Sequence, residues 1–142
     1  MADTAADKVA FDLVTPLNLV ASEDVDMVVV PGGAGDFGVL PGHAPLISTV
    51  RPGVVEVHQG GAVTSRIFVE GGFAEANAER CTVLADAAQL VDEIDAGAAS
   101  RRLDAAREAV GSADDDGKAA AETELRIAEA LVLAAGSGGD VH

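Results

Sequence analysis

The chain contains no tryptophan and no tyrosine, and phenylalanine occurs four times in 142 residues. That scarcity removes the aromatic platforms on which single-stranded nucleic acid stacks. Positive charge is also sparse: 9 Lys and Arg against 24 Asp and Glu leave a net charge of −15. Phosphate backbones are bound by basic surfaces, so no nucleic acid is expected and a protein partner is favoured. The single cysteine, Cys81, cannot close an intramolecular disulfide and fits a reducing compartment. It lies in CTVLAD, a strand-like run, and is read as a small buried apolar residue rather than a nucleophile. No uncharged apolar run nears the ~20 residues of a membrane-spanning helix. The opening MADTAADK carries acids and no apolar stretch, so no signal peptide is expected and the chain reads as soluble.

Hydrophobic residues make up 49% of the chain, but much of that share is alanine, which fills little volume. Character changes near residue 90. Before it, short apolar runs alternate with turn residues. VAFDLVTP (9–16) and DMVVVPG (26–32) read as strands. VVEVHQ (54–59) and VTSRIFVE (63–70) flank Gly60-Gly61, a hairpin signal. FAEAN (73–77) and RCTVLAD (80–86) flank another tight turn. Val55 and Val57 share one face and Glu56 and His58 the other, the period of a sheet with one wet face. Antiparallel strands at this spacing predict a β-sandwich or barrel over residues 8–90. From Asp95 the spacing turns helical. Ala99, Leu103, Ala106 and Val110 make one stripe, with Gly111 as its stop. SADDDG is a polar turn, and Ala121, Leu125, Ala128 and Val132 stripe a second helix from about Lys118 to Ala135. The expected fold is therefore mainly β plus α: an antiparallel β-sandwich, a two-helix antiparallel hairpin over 93–136, and a disordered tail over 137–142. Small-residue stripes release little hydrophobic energy, roughly 0.8 kcal/mol per buried CH₂, so the hairpin is expected to be weakly held.

Several stretches invite a chemistry that their context withholds. GAGDFG, Gly33 to Gly38, fits the dinucleotide pattern G-x-G-x-x-G after an apolar run. That fingerprint needs a helix directly behind the glycines to receive the phosphates. VLPGHAP follows instead, and a proline inside a helix costs about 3 kcal/mol. SADDDGKAAAET resembles a calcium loop with Ser112, Asp114 and Asp116 at positions 1, 3 and 5 and Gly117 at position 6. Position 12 is then Thr123 where a bidentate Glu is required. His43, His58 and His142 lack metal-ligand spacing, and no metal is expected. Ser22, Ser48 and Ser65 lack a nucleophile-elbow context, so no catalytic residue is named.

GAGDFGVLPGHAPLISTVRPG, Gly33 to Gly53, closely resembles the signature of the epsilon subunit of F-type ATP synthases, G-[DE]-x-G-[IV]-x-P-G-H-A-P-L followed by K/R-P-G. Gly35, Asp36, Gly38, Val39, Pro41, Gly42, His43, Ala44, Pro45 and Leu46 fall in place, then Arg51, Pro52 and Gly53. EGGFAEA (70–76) and CTVLADAA (81–88) resemble later family motifs in the right order. On this reading the glycines and prolines build a rigid surface loop, glycine allowing φ > 0 and proline fixing φ.

The resemblance implies a non-catalytic central-stalk subunit that links gamma to the membrane c-ring and couples ion flow to ATP synthesis. It carries gamma or ring contact onto Asp36, Phe37, Gly42, His43 and Pro45. For the hairpin it implies transient contact with the alpha/beta head and inhibition of hydrolysis through basic residues. Here residues 95–142 hold five basic side chains against ten acidic ones, so weak or absent inhibition is expected. Some family members bind ATP through I/L-D-x-x-R-A. Ile94 and Asp95 match, but Ala98 replaces the arginine, so ATP binding is expected to be weak at best and no cofactor is assigned. The implied location is peripheral, on the cytoplasmic face of a bacterial inner membrane. Two other readings stand beside it: a freestanding ligand-binding sandwich with a helical appendage, and a small hydrolase, for which no nucleophile and base can be named.

Overall fold

The computed structural model describes residues 7–138. Its chain divides into two compact units between Leu90 and Val91. The first unit holds ten strands: β1 (Val9–Val14), β2 (Leu19–Val25), β3 (Met27–Gly32), β4 (Gly35–Val39), β5 (Leu46–Val50), β6 (Gly53–Gln59), β7 (Ala62–Val69), β8 (Gly72–Ala76), β9 (Arg80–Ala85) and β10 (Ala88–Leu90). They form a continuous hydrogen-bonded path, β10-β7-β6-β3-β5-β8-β9-β1-β2, with β4 on the free side of β3. β3 pairs β6 along Met27–Val29 and meets β5 only at Gly32, so the path folds there into two layers. The alternation of β1 buries Val9, Phe11 and Leu13, and that of β6 buries Val55 and Val57. These side chains meet Val28, Val30, Val39, Ile67, Val69, Cys81 and Val83 in one core.

Four strands carry no sequence signal strong enough to be predicted. β2 is an edge strand with only Val25 buried, so it lacks alternation. β4 is glycine-rich and is specified by its pairing with β3 from Val28↔Val39 to Gly32↔Gly35. β5 is specified by pairing with β8, and β10 is three residues on the rim of β7. One pairing departs from the antiparallel expectation: β1 and β9 run parallel, because the sheet closes by bringing the first strand beside the ninth. The Gly60-Gly61 turn forms as expected, with φ of +64° and +81°, the left-handed values a two-residue hairpin turn demands. At the corner between β2 and β3, Asp26 accepts from the Gly60 N–H at 2.7 Å and pairs with Lys8 Nζ at 2.6 Å. Those contacts hold its carboxyl below the ordinary Asp value.

The second unit opens with a 3₁₀ turn, Val91–Glu93, followed by α1 (Ala96–Ser112) and α2 (Lys118–Gly138). Ala99, Ala106 and Ala128 are buried, as the two stripes require, with Leu103, Val110, Ala121, Leu125 and Val132 half-buried beside them. Gly111 does not stop α1. The helix runs one residue further, where Ser112 Oγ donates to the Glu108 carbonyl at 3.0 Å, and extended backbone at Ala113 ends it. The tail expected from residue 137 is helical at 137 and 138, continuing the α2 ladder, and residues 139–142 lie outside the described part.

Candidate functional site

The glycine stretch is a β-hairpin and not a free loop. Gly33 and Ala34 turn the chain between β3 and β4. No helix follows: β4 runs to Val39, and Pro41 and Gly42 turn the chain onward, so no helix N-terminus faces a phosphate. The chain around Thr49 presses on the turn. Gly33 N–H donates to the Thr49 carbonyl at 2.9 Å, and a Cβ on Gly33 would lie 2.3 Å from Thr49 Oγ1. A side chain there would have to displace the Thr49 hydroxyl. Asp36 is exposed on β4, and its Oδ1 accepts from Arg51 Nη2 at 2.5 Å. Phe37 is half-buried and packs on the sandwich core.

The next predicted contact residues stand on the segment from Leu40 to Pro45. Gly42 sits at φ +88° and donates its N–H to the Ala78 carbonyl at 2.8 Å, pinning the segment to the β8–β9 turn. His43 N–H donates to the Leu40 carbonyl at 3.1 Å, and its Nδ1–H donates to the Ala44 carbonyl at 2.6 Å. His43 thus orders its own segment and leaves Nε2 unused by it. Pro45 is exposed and begins a surface groove that continues over Leu46, Ile47 and Glu75.

A larger feature escapes sequence reading. On the outer face of the β5-β8-β9-β1-β2 layer, Thr49 is in register with Phe73, Phe73 with Leu84, Leu84 with Val14, and Val14 with Leu19. The result is a cross-strand row that is apolar from Phe73 to Leu19. Phe73 is 57% exposed, Leu84 54% and Leu19 63%. Ile47, at 73%, stands one row along on β5. Soluble surfaces carry isolated apolar residues freely, but a contiguous row marks an interaction face. Its signal was present in FAEA and CTVLAD, where Phe73 and Leu84 occupy the outward phase of otherwise buried strands.

Comparison with known proteins gives this face its context. The family described as "ATP synthase, Delta/Epsilon chain, beta-sandwich domain" matches residues 8–91. The ATP synthase epsilon chain of Paramagnetospirillum magneticum is 53% identical over 130 residues, 91% of this chain and 98% of that one. The epsilon chain of Rhodospirillum rubrum is 51% identical over 91% of this chain and 97% of its own length. This chain belongs to the ATP synthase epsilon chain family. Among solved structures, a chain of the Euglena gracilis mitochondrial ATP synthase, in an OSCP/F1/c-ring assembly, superposes with a TM-score of 0.79 at 27% identity, covering 90% of this chain and 81% of that one. A chain of the Tetrahymena thermophila mitochondrial ATP synthase central stalk and c-ring shares the fold, with a TM-score of 0.63 at 15% identity.

Epsilon chains are non-catalytic subunits of a membrane-bound complex, and they are peripheral to it. Among the described residues no helix is long and apolar enough to cross a membrane. Burial pushes the Cys81 thiol up to about 12, so a thiolate does not form there near neutral pH. In the helical unit, Asp95 caps α1: its carboxylate accepts from the Ala98 N–H at 3.0 Å, and this bond holds its pKa below the ordinary Asp value. Ile94 is half-buried in the turn before it. The Asp95 carboxylate is therefore engaged by its own helix. Asp114, read above as a calcium-loop position, receives the Gly117 N–H at 2.8 Å as α2 begins. Arg102 is visible in the sequence as one of the hairpin's basic residues, but its tie is not: Nε and Nη2 donate to the two oxygens of Glu124 at 2.6 and 3.0 Å and join α1 to α2.

Proposed function

We propose that the chain is a central-stalk rotor subunit of an F-type ATP synthase. It links gamma to the c-ring and so couples ion flow to ATP synthesis. The observation that carries this is the half-identical match to epsilon chains over nine-tenths of the sequence. The outer apolar row Phe73–Leu84–Val14–Leu19, with Ile47, is assigned to gamma, because a broad sheet face can bury a long neighbour. The Leu40–Pro45 segment, with Gly42 and Pro45 exposed and His43 half-buried, is assigned to the ring. Asp36 and Phe37 support that edge from the adjoining hairpin. The location is the cytoplasmic face of a bacterial inner membrane, held there through the complex. The hairpin meets the alpha/beta head at most transiently, since its acidic excess opposes docking to acidic segments.

Affinity purification of the tagged chain from detergent-extracted membranes tests this reading. Gamma and the c-ring should come with it. Leu84→Asp, which places a charge in the apolar row, should release gamma while leaving the isolated chain folded. Recovery of the wild-type chain alone, or undiminished gamma with Leu84→Asp, would reject respectively the role and the face.

A further inference from the structure

We propose that Arg51 is a positioning residue: its guanidinium fixes the β3–β4 tip, and Asp36 acts through that hold rather than as a free anion offered to a partner. The proposal rests on the stalk reading above and refines what one edge of the sandwich presents. One residue ties the tip at three points. Arg51 Nη1 donates to the Gly32 carbonyl at 2.6 Å, Nη2 to Asp36 Oδ1 at 2.5 Å, and its own N–H to the Pro31 carbonyl at 2.9 Å. The first two acceptors lie on opposite sides of the Gly33-Ala34 turn. A planar guanidinium reaches both at once with fixed geometry, which a lysine ammonium cannot.

The surroundings explain why such a hold is needed and possible. The tip contains Gly32, Gly33 and Gly35, and glycine gives backbone the widest freedom. Pro52 restricts Arg51 to extended backbone, so the side chain leaves from a set direction. Gly53 packs so tightly on Pro31 that a Cβ would stand 3.0 Å from the proline Cβ. The side chains of Arg51 and Asp36 are 44% and 59% exposed, so solvent screens the pair and its share of global stability is small. Its effect is local: it selects one arrangement of a glycine-rich turn beside the segment assigned to the ring. It also means that the tip is near neutral, and that removing Asp36 uncovers a cation there.

Hydrogen exchange on the isolated full chain, paired with binding to the gamma–ring complex, tests this. Asp36→Ala should speed exchange at the Gly33 amide, which is bonded to the Thr49 carbonyl, roughly tenfold, the loss of one charge-assisted hydrogen bond, and Arg51→Ala, which also loses the bond to the Gly32 carbonyl, should speed it further. The double variant should be no faster than Arg51→Ala. The unfolding midpoint should stay at the wild-type value, which separates positioning from general destabilisation. Arg51→Lys, keeping charge without the fork, should fall between. The double variant, which keeps the tip neutral, should weaken gamma–ring binding with the wild-type salt dependence. The proposal is overturned if Arg51→Ala leaves tip exchange unchanged, if the single effects add, or if the double variant flattens the salt dependence of binding. Failure of the wild-type chain to bind gamma and the ring would instead reject the stalk reading, and the exchange data would still judge the hold.

Discussion

The sandwich and the helical hairpin draw on the same apolar composition and use it differently. The twelve largest fully buried side chains all lie in the sandwich, among them Phe11, Phe68, Leu13, Ile67 and eight valines. The hairpin buries Ala99, Ala106, Ala128, Leu131 and Ala134, with Val91 in the turn before it. Branched and aromatic side chains hold the sandwich by filling volume, with few voids and fixed rotamers. Alanine faces allow helices to approach closely but remove little area from water per residue. Between α1 and α2 the specific tie is polar, the Arg102–Glu124 pair. A rotor needs a part that keeps its shape under load, and the composition puts that property in the first ninety residues.

The largest expected effect is in the sandwich. Phe11→Ala empties a fully buried site in β1 and should cost about 3–5 kcal/mol in urea denaturation. A loss below about 1 kcal/mol would mean that the core collapses around the void, and the contrast with the hairpin would weaken. Next in size is overpacking of the helices. Ala128 is fully buried in α2, and Ala128→Leu should destabilise by about 1–3 kcal/mol because close packing leaves no room for a branched side chain. The sign is the test. A stabilised variant would show that the hairpin has space to fill and is held more loosely than its buried alanines suggest.

These two units were unequally legible in sequence. The helices were readable because Ala99, Leu103 and Ala106 recur at helical spacing, and alanine has no better use than that stripe. Their ends were not, because Gly111 costs about 1 kcal/mol in a helix, less than continuing the ladder returns. In the sandwich, β1 and β6 declared themselves by strict alternation, while β2, β4 and β5 did not. Their positions are fixed by neighbours distant in sequence, such as Leu46↔Ala76 and Val28↔Val39, and no local pattern carries that. The partner surface shows the same division. The Gly42–Pro45 segment was legible as a motif. The apolar row was not, because Leu19, Val14, Leu84 and Phe73 line up only once four strands are in register. Arg51 was visible as a letter of the R-P-G motif, but its hold on Asp36 across fifteen positions was not.

A smaller effect should follow from pH, and it belongs to the hairpin. Arg102 beside Glu124 holds that carboxyl below its ordinary value of 4.5, mainly by direct hydrogen bonding. A group that binds its proton less readily when folded stabilises the fold fully above its unfolded pKa, and that stability is lost as pH falls through the folded one. The window therefore lies below about pH 4.5. Glu124 is partly exposed, so solvent screening keeps the pair to ~0–1 kcal/mol. Far-ultraviolet circular dichroism on acidification should show helix signal lost earlier than sheet signal. Glu124→Gln should be less helical near neutral pH and lose part of that acid-sensitive step. An unaltered titration in the variant would mean that the alanine faces alone hold the helices.

The smallest expected effect is on ATP hydrolysis by the assembled enzyme. An inhibitory hairpin must hold onto the catalytic head while the rotor is driven past it, and that needs favourable contacts. On α2 only Lys118 and Arg126 offer positive charge, against Glu122, Glu124 and Glu129. Arg126 also turns back on its own helix, donating from Nη2 to Thr123 Oγ1 at 3.1 Å, and on α1 Arg102 is engaged with Glu124. The exposed charge left for a neighbour is therefore mostly negative, and like charges oppose docking to an acidic segment. Deleting residues 93–142 should leave the hydrolysis rate of the purified complex nearly unchanged, while gamma and the ring still co-purify with the remaining sandwich. A many-fold rise in hydrolysis would show that the hairpin grips by shape and not by charge. In that case the alanine faces, and not the basic side chains, would be the surface to alter next.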